Sequence, residues 1–181
     1  FNGDKWIWKA PPAPRPLYGK QQLAIKPDDP VLIVEGEKTA DAAALLYPSA
    51  VVITWPSGCK AYAKADWSPL AGRRCVLWPD ADATGRDAMA KLAIHLLKAG
   101  AAQVRIIQPP ADAPEGWDLA DADWTTAAAS TYLKANRSAP IELPELALLP
   151  EPEPVIEPDP LPDPDADFVC LGFDNDAFYY Q

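Results

Sequence analysis

Val31-Leu-Ile-Val-Glu35-Gly36-Glu37-Lys38 and Val76-Leu-Trp-Pro-Asp80-Ala-Asp82-Ala-Thr-Gly85 decide the fold of this chain. Each opens with a short apolar run that reads as a strand buried on both faces, and each closes on carboxylates, a glycine and a helix-forming stretch. In open α/β sheets, ligands collect beyond the carboxyl ends of the strands. Two strand ends bearing Glu35, Asp80 and Asp82 therefore predict one acidic cluster, suited to divalent-metal chemistry on phosphates.

Working outward, further apolar runs at Val51–Thr54 and Val104–Ile107 complete a set of four expected strands with Val31–Val34 and Cys75–Trp78. Between them lie helical patterns. Lys38–Leu46 is rich in alanine and leucine and is stopped by Pro48. Over Arg86–Lys98, Met89, Leu92, Ala93, Leu96 and Leu97 share one face and Asp87, Lys91, His95 and Lys98 the other. A last helix is expected over Trp124–Ala135. Alternating strands and helices predict an α/β fold with a mostly parallel four-stranded sheet flanked by helices.

Charge is distributed unevenly. The net charge of -10 sits largely in residues 141–181, which hold 11 acids and no lysine or arginine, leaving 15 acids against 16 bases in residues 1–140. A near-neutral domain removes the objection that an acidic protein would repel nucleic acid. Residues 1–29, with Trp6, Trp8 and a proline-dense run, read as an extended lead-in, and 30–138 as the domain. The Pro/Glu/Asp tract of 139–167 cannot bury enough apolar surface to order itself and reads as a disordered, extended linker. Residues 168–181 turn apolar again, like the truncated start of a following domain, and Phe1 in place of Met suggests a fragment.

Cys59, Cys75 and Cys170 are too few and too scattered for a disulfide framework or a zinc knuckle, and fit reduced thiols in a cytoplasmic protein. No apolar run reaches the ~18 residues of a membrane span, and no signal peptide opens the chain.

Asp80 and Asp82, two apart at a strand end, can turn toward one Mg²⁺ or Mn²⁺. Glu35 on a neighbouring strand can complete the shell or act as general acid or base. Gly36 and Gly85 would let the backbone turn into each helix, whose N-terminus favours phosphate oxygens, with Lys38 and Arg86 beside them. Lys60, after the second strand, is a further phosphate contact, with Lys64 near it; the Gly-Lys spacing there is too short for a P-loop. Gly116-Trp-Asp118-Leu-Ala-Asp121-Ala-Asp123 adds a third acidic segment. Asp118 can join the metal set, whereas Asp121 and Asp123 can equally cap the helix near Trp124. His95 reads as solvated, and Trp55, Trp67 and Trp78 as packing residues rather than base-stacking ones.

In this order, Glu35-Gly36, Asp80-x-Asp82-x-x-Gly85 and Gly116-Trp-Asp118-Leu-Ala-Asp121 resemble the three acidic motifs of the Toprim domain, found in DnaG-type primases, topoisomerases and some nucleases. The wording is most similar to phage- and plasmid-type primase/helicase proteins. That resemblance implies a Toprim-like, Rossmann-like fold and a DNA primase-type nucleotidyltransferase in DNA replication. Glu35 would be the catalytic glutamate and Asp80 and Asp82 the Mg²⁺ ligands, with Asp118 assisting. DNA template and nucleoside triphosphates would be the substrates, and a replication helicase region in the same or a partner chain the neighbour. The DnaG pattern has an aspartate four residues after the glutamate, where this chain has Thr39, with Asp41 two further on. A Toprim nuclease and a non-catalytic docking module use the same segments. Asp80-x-Asp82 also resembles the first motif of haloacid-dehalogenase-type phosphatases, but it sits on the wrong strand for one.

Overall fold

The computed structural model describes residues 12–143, 170–174 and 177–180, and the chain forms two compact units, Phe1–Pro144 and Glu145–Gln181. In the first unit, strands β1 (Val31–Ile33), β2 (Val51–Ile53), β3 (Arg74–Leu77) and β4 (Gln103–Ile106) form one sheet in the order β2-β1-β3-β4, every pair parallel. Helices α1 (Gln21–Ile25), α2 (Glu37–Leu46), α3 (Ala83–Lys98) and α4 (Thr126–Asn136) surround it. This is the parallel α/β sheet expected from the alternating pattern, and it matches the Toprim-like, Rossmann-like fold that the motif resemblance implies.

The period-2 alternation of each strand divides the core. Val31, Ile33, Val51, Ile53, Cys75, Leu77 and Val104 face the layer that holds Met89, Leu92, Ala93 and Leu96 of α3. Leu32, Val34, Val52, Trp78 and Ile107 face Ala40 and Ala43 of α2, Tyr47 just after it, and Ala129 of α4. The two crossover helices thus lie on opposite faces. Right-handed crossovers require this when winding runs outward first to one side, β1 to β2, and then to the other, β3 to β4. The reversal falls between β1 and β3, so the switch point where such sheets bind ligands lies where Glu35 and Asp80 emerge.

Trp55, Trp67 and Trp78 are packing residues, as the sequence suggested, all within the buried core. Residues 12–29 are more integrated than an extended lead-in. They carry α1, Leu17 and Leu23 are buried, and Tyr18 exchanges backbone hydrogen bonds with Thr54 at the β2 edge. The Arg73 guanidinium fastens the segment by donating to the carbonyls of Leu23, Lys26 and Asp29. Gly19, at φ +77°, passes so close to β2 that a Cβ would meet the Val52 carbonyl oxygen at 2.5 Å. At the opposite edge, residues 137–141 run along β4, with an antiparallel bridge between Ile107 and Arg137 and N–H groups of Ser138 and Ile141 donating to Ile106 and Val104.

In the second unit, β5 (Cys170–Asp174) pairs antiparallel with β6 (Ala177–Tyr180). Trp6, Trp8 and nearly all of the acidic proline-rich tract lie outside the described residues.

Candidate active site

Glu35 lies two residues beyond the end of β1, and Asp80 three beyond the end of β3. Around Asp80 the chain is fixed by backbone bonds from Ala81 N–H to the Trp117 carbonyl (2.9 Å) and from Asp82 N–H to the Asp80 carbonyl (2.8 Å). The first ties the second acidic motif to the third. The third motif then forms a short 3₁₀ turn, Leu119–Asp121, that packs against α2.

Gly85 explains how closely the first two motifs meet. It lies inside α3, is buried, and has ordinary helical backbone, so it is not the sharp turn expected of it. Its function is space. A Cβ there would stand 2.8 Å from Glu35 Oε1 and 3.0 Å from both the N and O of Asp80. Gly36, by contrast, does turn the chain, at φ +78°.

Electrostatics report the same convergence. Burial, and then the charges of Glu35, Asp118, Asp82 and Asp121, push the Asp80 carboxyl up to about 7. The Glu35 carboxyl is also raised, chiefly by burial and further by Asp82, although the Asp80 backbone N–H opposes the shift. Glu35 Oε1 is buried with no hydrogen-bond partner, an arrangement that costs free energy until a proton or cation satisfies it.

The acids are not all free to ligate. Asp82 is the N-cap of α3, its carboxylate accepting from Gly85 N–H at 2.6 Å. Asp118 accepts from Ala120 N–H, and Asp121 accepts from Asp118 N–H, closing a capping box on the 3₁₀ turn. The helix near Trp124 is capped by Thr125, not by Asp121 or Asp123, because Thr125 Oγ1 is placed to accept from Ala128 N–H. Among the described residues no three acidic, histidine or cysteine side chains are grouped as a ready metal cage. An open site is the consistent alternative, since Mg²⁺ characteristically takes one or two carboxylates and fills its shell with water and phosphate. Asp80 and the second oxygen of Asp82, with the orphaned oxygen of Glu35 beside them, fit that pattern.

Of the two helix N-termini, that of α3 is occupied by the Asp82 carboxylate, whereas that of α2, at Gly36, has no side-chain cap. Lys38 is exposed in the first turn of α2. Arg86 is exposed and borders a cleft of about 650 Å³ with Asp82, Gln108 and Glu115. Lys60 lies on a separate 3₁₀ turn, Cys59–Lys64, and borders a smaller cleft with Thr84, Asp87 and Lys91. Thr39 is buried, and Asp41 accepts a hydrogen bond from the Tyr18 hydroxyl at 2.8 Å, a structural engagement. His95 is half-buried and meets the Tyr62 ring edge-on, so it is not simply solvated.

Sequence reasoning missed the aromatic group formed by Trp117, Trp124 and Tyr132, with neighbouring ring centroids 5.7 and 4.8 Å apart. The signal was the placement of Trp117 directly before Asp118.

A family model described as Domain of unknown function (DUF6371) matches residues 9–81, which include Glu35 and Asp80 but stop short of Asp82 and Asp118. No curated protein sequence matches the chain. Among solved structures, the chain is similar to the Aquifex aeolicus primase (zinc-binding and RNA polymerase domains), with a TM-score of 0.51 and 18% identity over 69% of this chain and 30% of that one. It is also similar to the DnaG primase catalytic domain bound to ssDNA, with a TM-score of 0.45 and 18% identity over 68% of this chain and 39% of that one. The first similarity shows the fold. The chain spans well under half the length of either protein.

Proposed function

We propose that residues 30–138 are the Toprim module of a phage- or plasmid-type primase/helicase and perform divalent-metal-dependent nucleotidyl transfer in DNA replication. The observation that carries this reading is the convergence of acids from three separate motifs on Asp80, at the switch point of a primase-like sheet. Asp80 and Asp82 would hold Mg²⁺ or Mn²⁺, with Glu35 and Asp118 adjoining. The ion, when bound, supplies charge neutralisation on phosphate oxygens and alignment of the attacking and leaving groups.

The protein's own groups have separate tasks. Glu35, raised by burial, would hold its proton more firmly than an ordinary carboxyl and pass it at its unpaired oxygen. Asp82 must serve α3 with one oxygen and the ion with the other. Lys38, Lys60 and Arg86 would contact phosphates of a DNA template or a nucleoside triphosphate, from the rims of the site. The acidic tract would act as a cytoplasmic linker to a following helicase-like region that begins near residue 168.

Asp82→Asn keeps an acceptor for Gly85 N–H and removes the charge. In the full-length protein it should therefore abolish dinucleotide primer synthesis while leaving the melting temperature within a degree or two; unchanged synthesis would sink the assignment. Metal-dependent nicking of plasmid DNA without nucleotides would indicate a nuclease instead.

A second reading is favoured by the capping duties of Asp82, Asp118 and Asp121. In it the cluster is structural and the domain only docks DNA or a partner. Failure of both Mg²⁺ and Mn²⁺ to raise the melting temperature would support it, because a ligand that binds the native state stabilises it.

A further inference from the structure

Beside the acidic loop lies a second feature that metal chemistry leaves unused. Trp117, Trp124 and Tyr132 line an open cleft of about 400 Å³ together with Pro110 and Pro114. All three rings are half-buried, and Trp78, fully buried, backs Trp124 and Tyr132 with centroids at 6.2 and 5.8 Å. Asp112 also lines the cleft, and its charge acts on the Tyr132 hydroxyl. Through the bond from Ala81 N–H to the Trp117 carbonyl, this cleft is joined to the loop that carries Asp80 and Asp82.

Aromatic rings, prolines and one carboxylate lining the same cleft select a flat ligand with N–H donors at its edge. A negatively charged group would be repelled by Asp112, so phosphates belong outside this cleft. We propose that it seats a nucleobase bearing an exocyclic amino group, stacked on one of the two indoles, Trp117 or Trp124, and edged by the other, with Asp112 accepting from the amino group. This deepens the nucleotide-chemistry reading above and rests on it for the ligand class.

The test is a titration of the ¹⁵N-labelled full chain in EDTA with AMP, CMP and UMP, following indole N–H resonances assigned through Trp117→Phe and Trp124→Phe. Both resonances should move with AMP and CMP at several-fold lower concentration than with UMP, and Asp112→Asn should erase that preference. Trp124→Ala should weaken AMP binding at least about fivefold. Resonances that stay fixed at millimolar concentrations of all three nucleotides, or that move only with a proline-rich peptide, would overturn the proposal. Equal response to UMP would overturn the part given to Asp112. Because the titration contains no metal, Asp80→Asn should bind AMP as the wild type does. Loss of metal-dependent primer synthesis with base binding intact would thus count against the proposed function alone, and the converse against the cleft alone.

Discussion

Asp80 is a carboxylate placed where ionisation is unfavourable, and that has a consequence for stability. Its value rises from 3.8 to about 7, first through burial and then through four neighbouring acids. A carboxyl raised on folding contributes stability that is fully present below pH 4 and lost as pH rises through about 7. Asp80→Asn removes this dependence. In EDTA the variant should match the wild type near pH 4 and exceed it at pH 8 by about 1–2 kcal/mol, a figure reduced for solvent screening because Asp80 is only half-buried; urea melts at the two pH values measure it. Adding Mg²⁺ should return the advantage to the wild type. Gly85 makes a prediction of opposite sign to its helix propensity. Glycine to alanine inside a helix ordinarily gains ~1 kcal/mol, but here the new methyl would meet Glu35 Oε1 and the Asp80 backbone. Gly85→Ala should instead cost about 1–3 kcal/mol, the usual range for overpacking, as a lowered denaturation midpoint would show. Acid identity and order were readable from the chain, but Gly85's part was not, since φ and close approach are properties of the folded backbone.

At the level of elements, the same carboxylate can be a cap and a ligand, and the two uses can be separated. Asp82→Ala removes the N-cap of α3 and should lower stability by about 1 kcal/mol. Asp82→Asn keeps the cap, so melts of the two variants followed by circular dichroism should differ by that amount, while both lose stabilisation by Mg²⁺. The four strands, α2, α3 and α4 were legible because their apolar periods are regular, with ends that moved by at most three residues. Residues 12–29 were not. Their burial depends on Arg73, Gly19 and the Thr54 edge, all distant in sequence, and proline density signals extension without saying what the extended chain lies against. The capping box of the third motif was half legible: Asp at a helix start is a strong local signal, but which turn it caps depends on where the turn forms.

At the scale of the first unit, the chain's own flanks meet both edges of the sheet, Tyr18 at Thr54 just beyond β2 and residues 137–141 along β4. Uncovered edges template association with other strands. A chain ending at Leu143 should therefore melt as the full chain does. One ending at Asn136 gives up the backbone bonds of Ser138 and Ile141, and the acceptor that Ser138 Oγ offers to Ile106 N–H. It should lose about 2–4 kcal/mol and aggregate on heating, as light scattering would report. A boundary at residue 138, natural from the sequence because the periodic pattern ends there, would cut through this strip.

The direction of that strip has a mechanical meaning. It runs antiparallel to β4, so its outer end, at Ile141, lies at the amino end of the strand, while Asp80 and Asp82 sit beyond the carboxyl end of β3. Tension from whatever is joined downstream enters at Ile141 and would peel the strip one hydrogen bond at a time before it reached Ile107. The strip thus acts as strain relief: a tethered neighbour could pull, and the first give would come on the side of the sheet away from the carboxylates.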